Sequence, residues 1–156
     1  HRRWRSAART EDPTIVNPSS VRRALARDRD SIWPLARDLA TSYEVDPEAF
    51  VAIFDRLLLD PDVLLLVAAV EDHAVGYLLA QLHHTFHANG PVVWVEEVMV
   101  SAEHRGLGLG RALMEAVEDW AREQDAAYVA LATRRAADFY AALGYEPSAT
   151  YFKHRL

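Results

Sequence analysis

Apolar residues recur along this chain at spacings that separate helices from strands. The clearest helical spacing follows Asp46-Pro47, because an aspartate cap with proline at the first helical position predicts a helix start. Apolar side chains then recur at i, i+3, i+4, i+7 and i+8, as Phe50, Ile53, Phe54, Leu57 and Leu58. The pattern predicts an amphipathic helix that ends before Asp60-Pro61.

Continuous apolar runs at 63–70 and 92–100 predict buried strands. Residues 75–82 predict a strand that forms a hairpin with 63–70 through a turn at 71–74. Further strands are predicted at 21–26 and 128–131, with one or two more in 145–156, and further helices at 31–39, 109–124 and 135–143. The order β-α-α-β-β-β-α-β-α-β-β indicates an α/β fold, in the broad sense that includes α+β folds with a mixed sheet.

One domain accounts for the length and composition of the chain. Its 156 residues, 51% hydrophobic and 26% charged, can bury one core, which we place in residues 20–156. Residues 1–19 lack hydrophobic periodicity and predict a flexible N-terminal extension, with a basic targeting or nucleic-acid-binding arm as the alternative. No apolar run approaches the roughly 20 residues of a membrane helix, and no secretory signal is visible. We therefore expect a soluble, cytoplasmic protein.

Charge and residue usage narrow the chemistry further. The net charge of -6 argues against nucleic acid as a partner and suits a cationic one. The absence of cysteine excludes disulfides, thiolate zinc sites and a cysteine nucleophile. His83, His84 and His87 lie close together, but no Glu stands in the H-E-x-x-H position, so we expect no metal. A histidine here, with a pKa near 6.5, could still deprotonate a substrate.

The most informative motif is RGLGLGR at residues 105–111, between a predicted strand and a predicted helix. It is neither a Rossmann fingerprint, which needs G-x-G-x-x-G, nor a P-loop, which needs Lys-Ser or Lys-Thr after its last glycine. Glycines at alternate positions remove the Cβ atoms that would keep a ligand away from the backbone. Because the first N–H groups of a helix are unpaired and carry the positive end of its dipole, the motif predicts a binding site for a phosphate group.

Arg105, Gly108 and Gly110 occupy the three fixed positions of Arg/Gln-x-x-Gly-x-Gly/Ala, the signature of the GNAT N-acetyltransferase superfamily. Residues 136–145, AADFYAALGY, match a second pattern of that family, A-x-x-h-Y-x-x-x-G-F/Y. The chain resembles this superfamily over residues 21–156. The resemblance implies a GNAT-like mixed sheet of six to seven strands flanked by helices, with acetyl-CoA as the co-substrate.

The resemblance also implies which residues bind acetyl-CoA, in a gap between the strands at 98–100 and 128–131. The pyrophosphate would contact Arg105, Gly106, Leu107, Gly108, Leu109, Gly110 and Arg111, although Arg111 could equally be a solvated surface charge. The pantetheine arm would pair with the main chain of Val98 and Val100, and an N–H of Val98 or Met99 would polarise the thioester oxygen. Relatives often carry Asn where this chain has Thr133, which can still donate a hydrogen bond.

Attack of an amine on a thioester, the reaction that the resemblance implies, needs a base because an alkyl ammonium has a pKa near 10.4. Glu96 and Glu97 interrupt an apolar strand, where burying a carboxylate is costly without a partner or a purpose. One of them should face the substrate cleft, or both if a β-bulge turns them inward, and a salt bridge on the outer face is the alternative. The resemblance implies that Tyr140 protonates the departing thiolate. Because the pKa of a tyrosine, near 10, is higher than that of a thiol, near 8.5, we expect Tyr140 to contribute mainly by donating a hydrogen bond.

The leading hypothesis is acetyl transfer from acetyl-CoA directly to a primary amine of a small molecule or protein. The alternative is a non-catalytic acyl-CoA-binding or regulatory module of the same fold. The expected partner is a small-molecule or peptide amine, with no nucleic acid and no membrane, and a homodimer is left open. Acidic and aromatic residues between the first two helices could contact a cationic amine: Asp38, Tyr43, Glu44 and Asp46.

Overall fold

A mixed five-stranded sheet forms the centre of the molecule, in a computed structural model that describes residues 20–156. The predicted flexible extension, residues 1–19, lies outside the described residues. The strands lie side by side in chain order: β1 (Val21–Arg23), β2 (Val63–Val70), β3 (His73–Thr85), β4 (Gly90–Val100) and β5 (Val129–Leu131). The first four pair antiparallel, and β5 pairs parallel to β4. The mixed α/β architecture is therefore confirmed, with fewer strands than the six to seven predicted.

Within the described residues, four α-helices flank this sheet: α1 (Arg29–Leu39), α2 (Pro47–Leu59), α3 (Leu109–Glu123) and α4 (Ala137–Ala142). The start of α2 is confirmed, because the Asp46 carboxylate accepts a hydrogen bond from the Ala49 N–H at 2.8 Å and Pro47 occupies the first turn. Among the helices of residues 20–156, none has the length and apolar character needed to cross a membrane.

Each face of the sheet packs against its own helices. Along β2, Leu64 and Leu66 pack with α3, whereas Leu65 and Val67 pack with α1 and α2. Because successive strand side chains point to opposite faces, a strand covered on both sides reads as a continuous apolar run. On the α3 side the helix contributes an apolar stripe of buried residues: Leu109, Leu113, Met114, Val117, Trp120 and Ala121.

Asp28 fixes the connection from β1 into α1. Its carboxylate, only 3% exposed, accepts hydrogen bonds from the Arg22 guanidinium at 2.7 and 2.9 Å and from the Leu25 N–H at 2.7 Å. Burial raises the pKa of Asp28, but the hydrogen bonds from Arg22 and Leu25 outweigh it and hold the pKa below its usual value. The ion pair thus anchors α1, whose C-terminal end begins the loop toward α2.

The prediction of one or two strands in residues 145–156 is wrong. Pro147 has no N–H to donate, and no backbone hydrogen bond joins residues 146–156 to the rest of the described chain. Side chains hold this C-terminal tail instead. The Tyr151 ring stacks on Trp94 with centroids 6.5 Å apart, and the Arg155 guanidinium lies 4.9 Å from the centre of the Tyr43 ring. The tail therefore lies against the α1–α2 loop rather than extending the sheet beyond β5.

Smaller differences concern the ends of elements. The β2–β3 turn consists of Glu71 and Asp72, both with positive φ (51° and 62°), so β3 begins earlier than predicted and also extends further, to Thr85. By contrast, β1 stops at Arg23, before the predicted end at Ala26, and α4 begins at Ala137 rather than at 135. Gly144, with φ of 93°, follows α4 as predicted.

Candidate active site

The loop between β4 and α3 presents unpaired backbone donors. Gly106 and Gly108 have φ of 77° and 82°, a left-handed conformation that favours glycine, and nothing lies within 4 Å of a Cβ built on either. The first backbone bond of α3 runs from the Ala112 N–H to the Gly108 carbonyl at 3.0 Å. The N–H groups of the preceding three residues make no hydrogen bond within residues 20–156, and no side chain there caps the helix. Unpaired N–H groups at the start of a helix are suited to binding an anion.

Gly110 has a different local reason to be glycine. A Cβ at this position would approach the Phe139 ring to 3.2 Å, so the missing side chain lets α4 pack against the first turn of α3. Arg105 and Arg111 are exposed on either side of the glycines. The Arg105 Nε donates to the Val100 carbonyl at 3.2 Å, which attaches this side chain to the end of β4. A packed helix and an anchored arginine therefore surround the open backbone donors.

A gap separates the C-terminal ends of β4 and β5. The two strands pair only from Val93 to Val95 on β4, opposite Val129 to Leu131. Since β4 continues to Val100 while β5 ends, Val98, Met99 and Val100 have no strand partner on that side in the described part of the chain. Their other side pairs with β3. The unpaired end of β4 precedes the glycine loop in the chain.

A β-bulge in β4 places the two adjacent glutamates. Glu97 pairs with Leu79 and Val95 with Ala80, so Glu96 is an extra residue without a partner on β3. Leu79 belongs to the α1–α2 face and Ala80 to the α3 face, and directly opposed residues share a face. The bulge therefore resets the alternation, placing Glu97 on the α1–α2 face, and Glu96 lines a cavity beside the α1–α2 loop. The structure contains the β-bulge considered from the sequence, but of the two glutamates only Glu96 lines this cavity.

Glu97 is held by a buried tyrosine that the sequence analysis missed. The Tyr77 hydroxyl donates to the Glu97 Oε1 at 2.7 Å, and Tyr77 is only 2% exposed. Burial, and then the charge of Glu97, raise the pKa of Tyr77 well above its usual value, so the hydroxyl stays protonated. The available signal was a tyrosine within the apolar β3 run, because a buried hydroxyl needs a partner.

Glu96 opens into a cavity of about 280 Å³. Four segments of the chain line it: the α1–α2 loop at 40–43, β4 at 94–96, the loop after β5 through Ala132 and Arg134, and the tail through Tyr151 and Lys153. Burial, and then the charge of Glu97, raise the pKa of Glu96, while His83 acts in the opposite direction. A carboxylate with a raised pKa at a cavity wall is a candidate proton acceptor.

Tyr140 belongs to α4, and Thr133 lies in the loop between β5 and α4. The Tyr140 ring is half-buried and packs edge-on against Phe139 and Tyr145, with centroids 5.0 and 6.0 Å away. Burial raises the pKa of Tyr140, so its hydroxyl is a neutral donor at physiological pH. The Thr133 Oγ1 accepts the Ala136 N–H at 3.1 Å just before α4, and its own hydroxyl hydrogen remains available.

Several residues that the sequence offered as candidates for contacting the acceptor lie outside the cavity. Of the acidic and aromatic residues between α1 and α2, only Tyr43 lines the cavity, whereas Asp46 caps α2. His87 lies 2.9 Å from the Tyr128 hydroxyl, and His84 faces Asp62 at 3.7 Å. Within residues 20–156 there is no group of three or more potential metal ligands.

Comparison with known proteins identifies the family. The sequence matches the Acetyltransferase (GNAT) family over residues 25–145. It is 32% identical over 145 residues to the aminoalkylphosphonate N-acetyltransferase of Salmonella typhimurium, covering 90% of this chain and 92% of that protein. The chain therefore belongs to the GNAT acetyltransferase family, and it is an acetyl-transferring enzyme.

Solved structures share the fold. A transcriptional regulator from Bacillus halodurans C-125 superposes with a TM-score of 0.80 at 22% identity, covering 87% of this chain and 98% of that one. The aminoglycoside N-acetyltransferase AAC(6')-Iy, solved in complex with CoA, superposes with a TM-score of 0.77 at 20% identity, covering 87% and 93%. At these identities the likeness establishes the fold alone.

Proposed function

We propose that this enzyme transfers the acetyl group of acetyl-CoA directly to the primary amine of a small molecule. The observation that carries the proposal is the position of Glu96. The β4 bulge turns this carboxylate into a cavity, while the same strand, a few residues later, borders the open gap and the glycine loop. A proton acceptor and a binding site for an activated acyl group thus lie along one strand.

The residues present fit acetyl-CoA, which would supply a thioester already activated for transfer. Unpaired N–H groups at the start of α3 and open space over Gly106 and Gly108 suit a pyrophosphate. The residues proposed to hold the nucleotide end are Arg105, Gly106, Leu107, Gly108, Leu109, Gly110 and Arg111. The unpaired edge of β4 suits an amide-containing arm, which Val98, Met99 and Val100 are proposed to hold. Thr133 and Tyr140 are proposed to contact the same co-substrate.

Glu96 has the task of removing a proton from the acceptor. With a pKa near 10.4, only about one alkyl amine in 2,500 is neutral at pH 7, which costs about 4.6 kcal/mol before the reaction begins. Partial desolvation raises the pKa of the Glu96 carboxylate although the residue remains exposed, and this makes it a stronger base than a fully hydrated carboxylate. Glu97, fixed by Tyr77, adds negative charge that raises the pKa of Glu96 and attracts a cationic acceptor.

Tyr140 is proposed to donate a hydrogen bond to the departing thiolate sulfur. Because burial raises the pKa of Tyr140, the hydroxyl is a weaker acid than an exposed tyrosine. Donation of a hydrogen bond, rather than complete proton transfer, is therefore its main contribution.

The size of the cavity favours a small acceptor. Its volume of about 280 Å³ lies at the lower limit of small-molecule sites, which span roughly 300 to 1,000 Å³. The relative in Salmonella typhimurium carries a name that describes a small amine as its substrate. Both observations support a small molecule over a protein side chain as the acceptor.

Thiol release from acetyl-CoA in the presence of an amine panel tests the proposal. The panel should contain small primary amines, aminoglycosides and peptides with free lysine or N-terminal amines, and mass spectrometry should identify the acetylated product. We expect release with one or more small amines and little with peptides. If acetyl-CoA binds in calorimetry but no amine releases thiol, the protein is a non-catalytic acyl-CoA-binding module and the proposal fails.

A further inference from the structure

The cavity that Glu96 lines also carries positive charge. Arg134 enters its wall from the loop after β5, and Lys153 from the C-terminal tail. Neither forms an ion pair with a carboxylate of residues 20–156, whereas Arg22, Arg37 and Arg122 each do. With Glu96 ionised, the lining has one negative and two positive side chains.

This charge pattern does not suit an acceptor whose only charge is an ammonium group. Glu96 would attract such a cation, but two unpaired cations in the same small cavity would oppose it. An acceptor with an anionic group at its other end would use both poles, because Arg and Lys form strong hydrogen bonds to oxyanions. The hydroxyl-bearing loop residues Thr41, Ser42 and Tyr43 offer further donors around the same cavity.

We propose that the acceptor is a small primary amine that carries an oxyanion a few bonds from its nitrogen, with Arg134 and Lys153 binding that oxyanion while Glu96 faces the amine. This assignment rests on the proposed acetyl transfer and names its substrate class. The oxyanion can be a phosphonate, a sulfonate or a carboxylate. The small volume limits the linker between the two groups to a short chain.

A set of matched amines tests the substrate class. 2-Aminoethylphosphonate, taurine and β-alanine carry the three oxyanions on the same two-carbon linker, and 3-aminopropan-1-ol is the neutral counterpart. We expect kcat/KM at least about tenfold higher for one or more of the oxyanion amines than for the neutral amine. The ranking among the three identifies which oxyanion is preferred. Equal or higher kcat/KM for 3-aminopropan-1-ol would overturn the proposal.

Two variants test the residues. Lys153→Met and Arg134→Met should each raise the KM of the preferred oxyanion amine about tenfold, and leave the KM of the neutral amine and of acetyl-CoA unchanged. Arg56→Met, which removes an exposed cation of α2 outside the cavity, is the control for overall charge and should have no effect. An equal loss with the neutral amine, or a raised KM for acetyl-CoA, would overturn the assignment.

Failure of the proposed function gives a different result. If no amine releases thiol, acetyl transfer to amines is wrong. Calorimetry with 2-aminoethylphosphonate, taurine and β-alanine then tests separately whether Arg134 and Lys153 bind the oxyanion. Binding that is lost in Lys153→Met but kept in Arg56→Met would support the two-pole cavity. No binding, or binding that none of the variants changes, would overturn it.

Discussion

The nucleotide side and the acceptor side of the proposed reaction centre are built in different ways. The nucleotide side is one continuous run, from Val98 on β4 to Arg111 in α3, and it offers mainly backbone groups. The acceptor cavity draws side chains from four separate segments. Three of them, the α1–α2 loop, the loop after β5 and the C-terminal tail, have no regular structure. Side chains on loops can change without altering the sheet. One fold can therefore keep a common co-substrate while its acceptor varies.

Replacing Glu96 by Gln tests the acceptor side and should have the largest effect on activity. Loss of the proton acceptor should lower kcat about 10²- to 10⁴-fold, with the affinity for acetyl-CoA unchanged, because the amide cannot take the proton of the amine. Steady-state thiol release and calorimetry measure the two quantities. Glu97→Gln is the matched control, and its effect should be smaller because Glu97 bonds to Tyr77 and does not line the cavity. Equal losses in the two variants would contradict the assignment of the base to Glu96.

Gly108→Asp should weaken the binding of acetyl-CoA, because it changes the nucleotide side and leaves the acceptor side intact. Its carboxylate would lie where an anion is expected, and should weaken acetyl-CoA binding about 100-fold by repulsion at the start of α3. Aspartate tolerates a positive φ better than most residues, so circular dichroism should show a folded protein. Gly90→Asp, at an open position away from the loop, is the control and should bind normally. Unchanged affinity in Gly108→Asp would remove the glycine loop from the site.

The pH dependence of kcat should report on the acceptor side. Burial raises the pKa of Glu96, and only the ionised carboxylate accepts a proton, so activity should be lost as the pH falls through that raised pKa. The decline should approach tenfold per pH unit and begin above the pH expected for an unperturbed glutamate, near 4.3. The residual activity of the Glu96→Gln variant should not show this decline at low pH. If the variant still shows the decline, a group other than Glu96 causes it.

Tyr140→Phe should produce a smaller loss. Removal of one hydrogen-bond donor to the leaving sulfur should lower kcat about tenfold while the KM of the amine stays constant. Since the pKa of Tyr140 is raised, the hydroxyl is neutral throughout the usual assay range, and the loss should be the same at every pH between about 6 and 9. A loss that varies with pH in that range would show that Tyr140 titrates.

Asp46→Ala should have the smallest effect on activity, and that effect should be on the binding of the amine acceptor. Loss of the 2.8 Å cap to the Ala49 N–H should reduce the free energy of unfolding by about 1 kcal/mol, measured by urea denaturation. Because α2 begins next to the loop that lines the cavity, the KM of the amine should rise a few-fold while that of acetyl-CoA stays constant. Asp55→Ala, on the exposed surface of α2, is the control. A change confined to acetyl-CoA would contradict the separation of the two sides.

Local patterns in the sequence were sufficient for most elements and for the nucleotide side. The helix start at Asp46-Pro47, the bounds of β2, and the glycines before α3 depend on caps, on apolar spacing and on allowed backbone angles. Each of these is a property of a few neighbouring residues. The family signature at Arg105, Gly108 and Gly110 could be read for the same reason.

The acceptor side depended on contacts between residues far apart in the chain. The choice of Glu96 for the cavity follows from a bulge that appears only when β4 is paired with β3, and the partner of Glu97 is Tyr77, 20 residues away. The one or two strands predicted in residues 145–156 are absent from the described chain, where side-chain contacts hold the tail against the α1–α2 loop. The sequence by itself determined where most helices and strands begin and end, and where the glycine loop before α3 lies. Only the tertiary structure decided which side chains meet there, because strand register and loop packing are long-range choices that no local spacing records.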